Sequence, residues 1–191
     1  MELTKKLDLI KFSKIALLIL LGSLLLTISA KVKIPFYPVP MTMQTFVVLF
    51  LGLAFGYKIG LATVTLYLLE GIFGLPVFAN SPEKGIGLIY FTGPTMGYLI
   101  GFLVAVYFAG LRRDLLVWSN YKYLNVLTVF SRLVLSVSFI YILGLLWLGY
   151  LIGWNKPIFE LGAQPFLLAE LFKLLLLTAL YPWIIKLNKI I

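Results

Sequence analysis

The 191-residue chain contains no cysteine and no histidine. The first absence excludes disulfides, thiol nucleophiles and thiolate metal sites. The second removes the commonest metal ligand, the usual general base and the usual proton relay. Charge is scarce too: 12% of residues are charged against 62% hydrophobic, about half the charged fraction of an ordinary soluble domain. No GxxxxGK[ST] phosphate loop occurs, so the chain cannot by itself power transport with ATP. No nucleophile–base pair or metal cluster is visible, so no catalytic or metal-binding residue is nominated. The composition is that of an integral membrane protein: all-α, with one membrane domain over residues 1–191.

Positive charge exceeds negative by nine. In a soluble protein that excess would point to nucleic acid. Here the basic residues flank apolar segments, so topology and the anionic bilayer surface account for them, and no nucleic-acid partner is expected. The N-terminal apolar run outlasts a signal peptide and lacks a small-residue cleavage site.

Six transmembrane helices are expected, over about 15–30, 43–56, 59–73, 93–111, 133–152 and 166–185. Residues 1–14 read as a short basic segment at the interface. Arg112 and Arg113 stop the fourth span, residues 114–131 are mixed, Arg132 precedes the fifth span, and 153–164 is a connector. Gly52, Gly56 and Gly60, and then Gly97, Gly101, Ala105 and Ala109, recur every four residues; such ladders let helix backbones approach closely. With both termini on one side, that side carries eleven of the fifteen Lys and Arg residues assigned to loops, which makes the termini cytoplasmic. Pro35, Pro38 and Pro40 preclude helix between the first two spans, leaving either a cap over the bundle or a stiff loop. Residues 74–92 mix turn formers with Leu75, Val77, Phe78, Ile86 and Tyr90, the pattern of a loop folded back as a lid.

The sixth span carries the one polar feature that needs explaining. A helix starting just after Pro165 puts Glu170 and Lys173 three residues apart on one face, one to two turns inside the outer surface. An ionisable pair at that depth is a functional-site hypothesis or an interhelical salt bridge. Glu70, near the far end of the third span, reads as interfacial in preference to lining the pocket.

Several segments together resemble the BioY family, the biotin-binding S components of energy-coupling factor transporters. They are KIPFYPVPMTMQTFVVLFLGLAFG, YLLEGIFGLPVFA, FTGPTMGYLIGF, and IYILGLLWLGY followed by GAQPFLLAELFK. The resemblance implies a six-helix protein of the cell membrane, multi-pass, that binds biotin as its transported ligand at the extracellular side and performs no chemistry. It further implies no cofactor, and partners comprising a membrane coupling protein and two ATPase subunits. The family pattern P-F-x-x-G-D-x-x-K reads here Pro165, Phe166, Ala169, Glu170, Lys173. By that resemblance Glu170 would accept the ureido N–H groups, and Lys173 would pair with it or polarise a ligand group. Phe36, Phe78, Tyr90 and Tyr150 would supply the apolar wall. Asn80 would suit a urea-like group, and Lys84 would meet the ligand carboxylate. Gln44 is either a ligand contact or a helix cap. Two further departures are Met96, where the family usually has glycine, and Phe12 and Leu20 flanking Ala16 in place of an AxxxA stripe on helix one. The rival readings are an S component for another vitamin, a structural subunit clamped by Glu170–Lys173, and a self-sufficient secondary carrier.

Overall fold

A computed structural model describes residues 2–111 and 122–190. Those residues are mostly helical. α1 (Glu2–Lys31) is one continuous helix, so the basic segment expected to lie separately at the interface is its first turns; no proline interrupts it. The proline-rich stretch that follows closes into a two-stranded antiparallel ribbon, β1 (Lys33–Ile34) and β2 (Met41–Thr42), with Lys33 opposite Thr42 and Ile34 opposite Met41. Proline lacks an N–H to extend a ladder, and the ribbon stops at two residues per strand.

α2 (Gln44–Ile72) contains both the second and third expected spans, broken at Gly56, where φ is 79° and ψ 171°. That backbone region is essentially restricted to glycine. A Cβ on Gly60 would stand 3.6 Å from the Cα of Gly52, whereas residues eight apart in a straight helix are separated by about 12 Å. The chain therefore folds back at a single residue, and the glycine repeat marks both the turn and its tight packing. Lys58 follows that turn directly and is exposed.

α3 (Met96–Gly110) follows a 3₁₀ segment at Gly87–Thr92. α4 (Lys122–Ile152) starts three turns earlier than expected. Arg132, placed before the fifth span by the sequence, lies inside this helix. Arg112, Arg113 and residues 114–121 lie outside the described residues. The 153–164 connector contains a short helix, α5 (Ile158–Gly162), and a 3₁₀ turn at Gln164–Phe166. α6 (Leu167–Ile184) begins two residues after Pro165.

Among the described residues four helical stretches are long and apolar enough to cross a membrane by length and composition, Lys11–Lys31, Gln44–Ile72, Val126–Ile152 and Ile158–Leu187, the second of them folded back at Gly56; α3 is apolar but shorter. The small-residue ladder on α3 works as its spacing implies. A Cβ on Gly97 would lie 2.3 Å from the carbonyl oxygen of Leu143, and one on Gly101 2.7 Å from the Cα of Ile140, so α3 and α4 touch backbone to backbone. α6 packs on both α2 and α4, while α1 lies outermost, its apolar flank of Leu17, Leu20, Leu24 and Ile28 exposed. Glu70 is tied to α1 by a short hydrogen bond donated by Ser23 Oγ. The core of Leu49, Leu53, Val64, Ala105, Ile140 and Leu177 thus leaves α6 with one face against the ribbon and the start of α2.

Candidate ligand-binding site

The geometry begins with Pro165 and Phe166, whose 3₁₀ turn leads directly into α6. One turn further, Glu170 and Lys173 point inward and are only 5% and 6% exposed. Removing two charges from water costs several kcal/mol each unless the remaining hydrogen-bonding capacity is met. For the lysine it is met completely. An ammonium carries three donors, and Lys173 Nζ donates to Thr42 O at 2.7 Å, Thr45 Oγ1 at 2.9 Å and Glu170 Oε1 at 2.8 Å. Thr45 Oγ1 in turn donates to Glu170 Oε1 at 2.9 Å. The carboxylate is firmly held on one side only: Oε2 is buried without a hydrogen bond of good geometry among the described residues, and the Tyr141 hydroxyl on the cleft wall stands beside the carboxylate.

Glu170 borders a narrow interior cleft. The ribbon and the start of α2 contribute Met41, Thr42, Gln44 and Thr45; α3 contributes Tyr98, Leu99 and Phe102; α4 contributes Ile140 and Tyr141. Phe166 and Tyr90 complete an aromatic wall. The surface is mostly apolar with a few fixed polar groups, the composition of a small-molecule site. Tyr98 is anchored by donating to Gly162 O at 2.8 Å. Gln44, the first residue of α2, turns inward and does not cap the helix: its Nε2 donates to the Tyr67 hydroxyl at 2.8 Å, which donates to Val77 O at 3.2 Å.

Glu170, Gln44 and Tyr90 therefore share one cleft, with Lys173 directly behind the carboxylate. Tyr90 accepts the Asn80 N–H at 3.4 Å, and burial pushes its hydroxyl pKa above the usual range. Phe36 is 40% exposed and stands edge-on to Phe166 at 5.6 Å, an outer layer over the wall. Phe78 stacks on the far face of Tyr90 at 4.6 Å and is packed over Gly71, where a Cβ would meet its ring at 2.0 Å. The Oδ1 of Asn80 accepts from Lys33 Nζ at 3.1 Å. Lys84 stands over the Tyr37 ring, 5.5 Å from its centroid. Tyr150 is 76% exposed and borders a separate apolar groove with Met96, Gly97 and Trp147. Phe78, Asn80, Lys84 and Tyr150 thus stand outside the cleft lining, the first of them as support for Tyr90.

Two groups of residues were not singled out in the sequence. Thr42, Thr45, Tyr98 and Tyr141 line the cleft. Lys31 and Lys33 hold its roof: Lys31 Nζ donates to the carbonyls of Phe78 and Ser81, both at 2.8 Å, and Lys33 Nζ to that of Ala79 at 2.7 Å. The loop is thus served by cations from outside it, and Lys84 is not the only one it meets. In the sequence these lysines stand only as positive charge at the end of the first span.

The sequence profile of the BioY family matches residues 4–189. Similar curated proteins include the probable biotin transporter BioY of Pyrococcus horikoshii, 34% identical over 149 residues, which are 78% of this chain and 82% of that protein. The biotin transporter BioY of Thermotoga maritima is 35% identical over 153 residues, covering 78% and 83%. Among solved structures, the S-component for biotin from an ECF-type ABC transporter superposes with a TM-score of 0.71 at 22% identity, over 97% of this chain and 93% of that one. At that identity the superposition speaks for the fold.

Proposed function

The chain belongs to the BioY family, and from that premise we propose that it is the substrate-capture subunit of a biotin transporter. It is a multi-pass membrane protein, and it binds biotin without altering it. We place six spans across the cell membrane in a single membrane domain with both termini cytoplasmic, the halves of α2 on either side of Gly56 counting as two. The ribbon and the 74–92 loop then lie at the extracellular face, over the cleft.

The observation that carries this reading is the half-satisfied carboxylate. A buried charge whose only task was to clamp α6 to α2 would have both oxygens engaged, since an unmet buried acceptor is costly. Glu170 instead borders an apolar aromatic cleft with Oε2 lacking a well-formed hydrogen bond among the described residues, and the Tyr141 hydroxyl is the group that stands nearest to compete with a ligand for it. The ureido N–H groups of biotin are donors of that kind, and its fused rings suit the wall of Phe166, Tyr90 and Tyr141, with Phe36 and Phe78 backing it. Gln44 and Lys173 hold the polar end in place. Asn80 and Lys84 stand on the loop at the mouth, where the ligand's carboxylate tail would emerge; Tyr150 contributes apolar surface only to the separate groove between α3 and α4. From membership of the family, import is proposed to draw on ATP hydrolysed by two partner subunits through a membrane coupling protein.

The test is titration of the purified, detergent-solubilised chain with biotin, with thiamine as control. Calorimetry is the primary reading, and tryptophan fluorescence supplements it through Trp147 and Trp154. Saturable one-to-one binding selective for biotin is expected. A folded protein that binds thiamine or neither compound would refute the assignment.

A further inference from the structure

Hydroxyls inside membrane helices ordinarily return their proton to the backbone one turn back. This protein follows that habit at Thr63, which donates to Ile59 O at 2.8 Å, at Thr178, which donates to Leu174 O at 2.7 Å, and at Ser136, which donates to Arg132 O at 2.8 Å. Thr45 departs from it. It lies in the first turn of α2, is only 8% exposed, and commits its single proton to Glu170 Oε1 while accepting from Lys173 Nζ. A residue of one helix thus completes the ion pair of another, 125 positions away in sequence.

The consequence lies in which oxygen is left. Lys173 and Thr45 both converge on Oε1. Two donors on one oxygen fix the carboxylate's rotation and leave Oε2 without a well-formed hydrogen bond among the described residues, with the Tyr141 hydroxyl beside the carboxylate. Without Thr45 the lysine alone would hold Oε1, a single contact about which the carboxylate can turn. We propose that Thr45 is the positioning residue that sets ligand specificity: by pinning Oε1 it aims Oε2 as a fixed acceptor, so that the cleft selects a ligand with an N–H donor at that point. All three protons of Lys173 are spent inside the protein, so the selection is made by the carboxylate and the lysine acts only through it. This inference rests on the biotin-capture reading and deepens it.

Four forms of the full chain separate the possibilities: wild type, Thr45→Ser, Thr45→Val and Thr45→Ala. Each is titrated by calorimetry with biotin and with biotin methylated on a ureido nitrogen, and the ratio of the two affinities is the readout. Wild type and Thr45→Ser should prefer biotin strongly. Thr45→Val and Thr45→Ala should lose roughly 10- to 100-fold in biotin affinity, the scale of one charge-assisted hydrogen bond, and little for the methylated compound, so the ratio falls by that factor. A purely structural role would weaken both ligands together and leave the ratio unmoved. An unchanged ratio in Thr45→Val and Thr45→Ala, or equal losses in Thr45→Ser and Thr45→Val, would overturn the proposal. So would failure of both Thr45→Val and Thr45→Ala to fold while Thr45→Ser folds, which would make the hydroxyl a structural requirement. If folded wild type does not bind biotin, the capture reading falls and takes this one with it.

Discussion

Replacing Glu170 with glutamine separates the capture reading from the clamp reading. The amide keeps the shape and one carbonyl oxygen, which can stay with Lys173 and Thr45 in the place of Oε1. The amide nitrogen then occupies the position of Oε2, so the cleft offers a donor where it had offered an acceptor. Truncating one partner of a buried charged pair costs about 2–5 kcal/mol of binding. With N–H facing N–H the loss should be at least about 3 kcal/mol, roughly a 150-fold rise in Kd for biotin at 1.4 kcal/mol per tenfold. Stability should suffer less. Breaking a buried ion pair costs about 3–5 kcal/mol when the remaining charge is left bare. Lys173 keeps acceptors at Thr42 O and Thr45 Oγ1, within 2.9 Å, and gains a neutral one from the amide, so a loss of about 1–3 kcal/mol is expected. The assay pairs thermal melting of the ligand-free protein in detergent with calorimetric titration. A folded Glu170→Gln protein that binds biotin within threefold of wild type would refute the reasoning, because Oε2 would then contribute nothing.

Two further outcomes follow from packing and from the loop. Gly97→Ala places a Cβ 2.3 Å from Leu143 O and 2.5 Å from Trp147 Cβ, so α3 and α4 must separate; the overpacking should cost about 1–3 kcal/mol, and an unchanged melting temperature would contradict it. Lys33→Met removes the donor to Ala79 O and Asn80 Oδ1. Amide exchange across residues 78–83 should accelerate and biotin should dissociate faster, whereas unchanged protection would show that the loop is held without this lysine.

The start of α6 was legible because proline, helix onset and the three-residue spacing of Glu170 and Lys173 are local facts. The acceptance of Lys173 by Thr42 and Thr45 was not, since it joins segments more than 125 residues apart. Thr45 was hidden by a rule that holds elsewhere in the same protein: Thr63 and Thr178 do bond back to their own helices. Gly56 was visible as one of three regularly spaced glycines, but spacing cannot distinguish a packing glycine from one needed for positive φ. The early start of α4 was obscured by Arg132 and the mixed residues before it, which read as preceding the span although a long helix carries them. Asn80, Lys84 and Tyr150 were nominated by residue type and resemblance; neither fixes a distance, and the structure sets all three apart from the cleft lining.

The reversal at Gly56 has a consequence for chain length. Most connections between helices carry spare residues that absorb an insertion or a deletion. Here the turn is a single residue, and it is closed from the other side: a Cβ on Gly110 would stand 2.3 Å from Tyr57 N and 2.7 Å from the carbonyl carbon of Gly56. The end of α3 is seated against the turn with no room between them. Length is therefore fixed at this point. Reporter tags and topology probes do not belong at Gly56, where an added residue would shift the register of both halves of α2 against α3 and, through Gln44 and Thr45, displace the floor of the cleft.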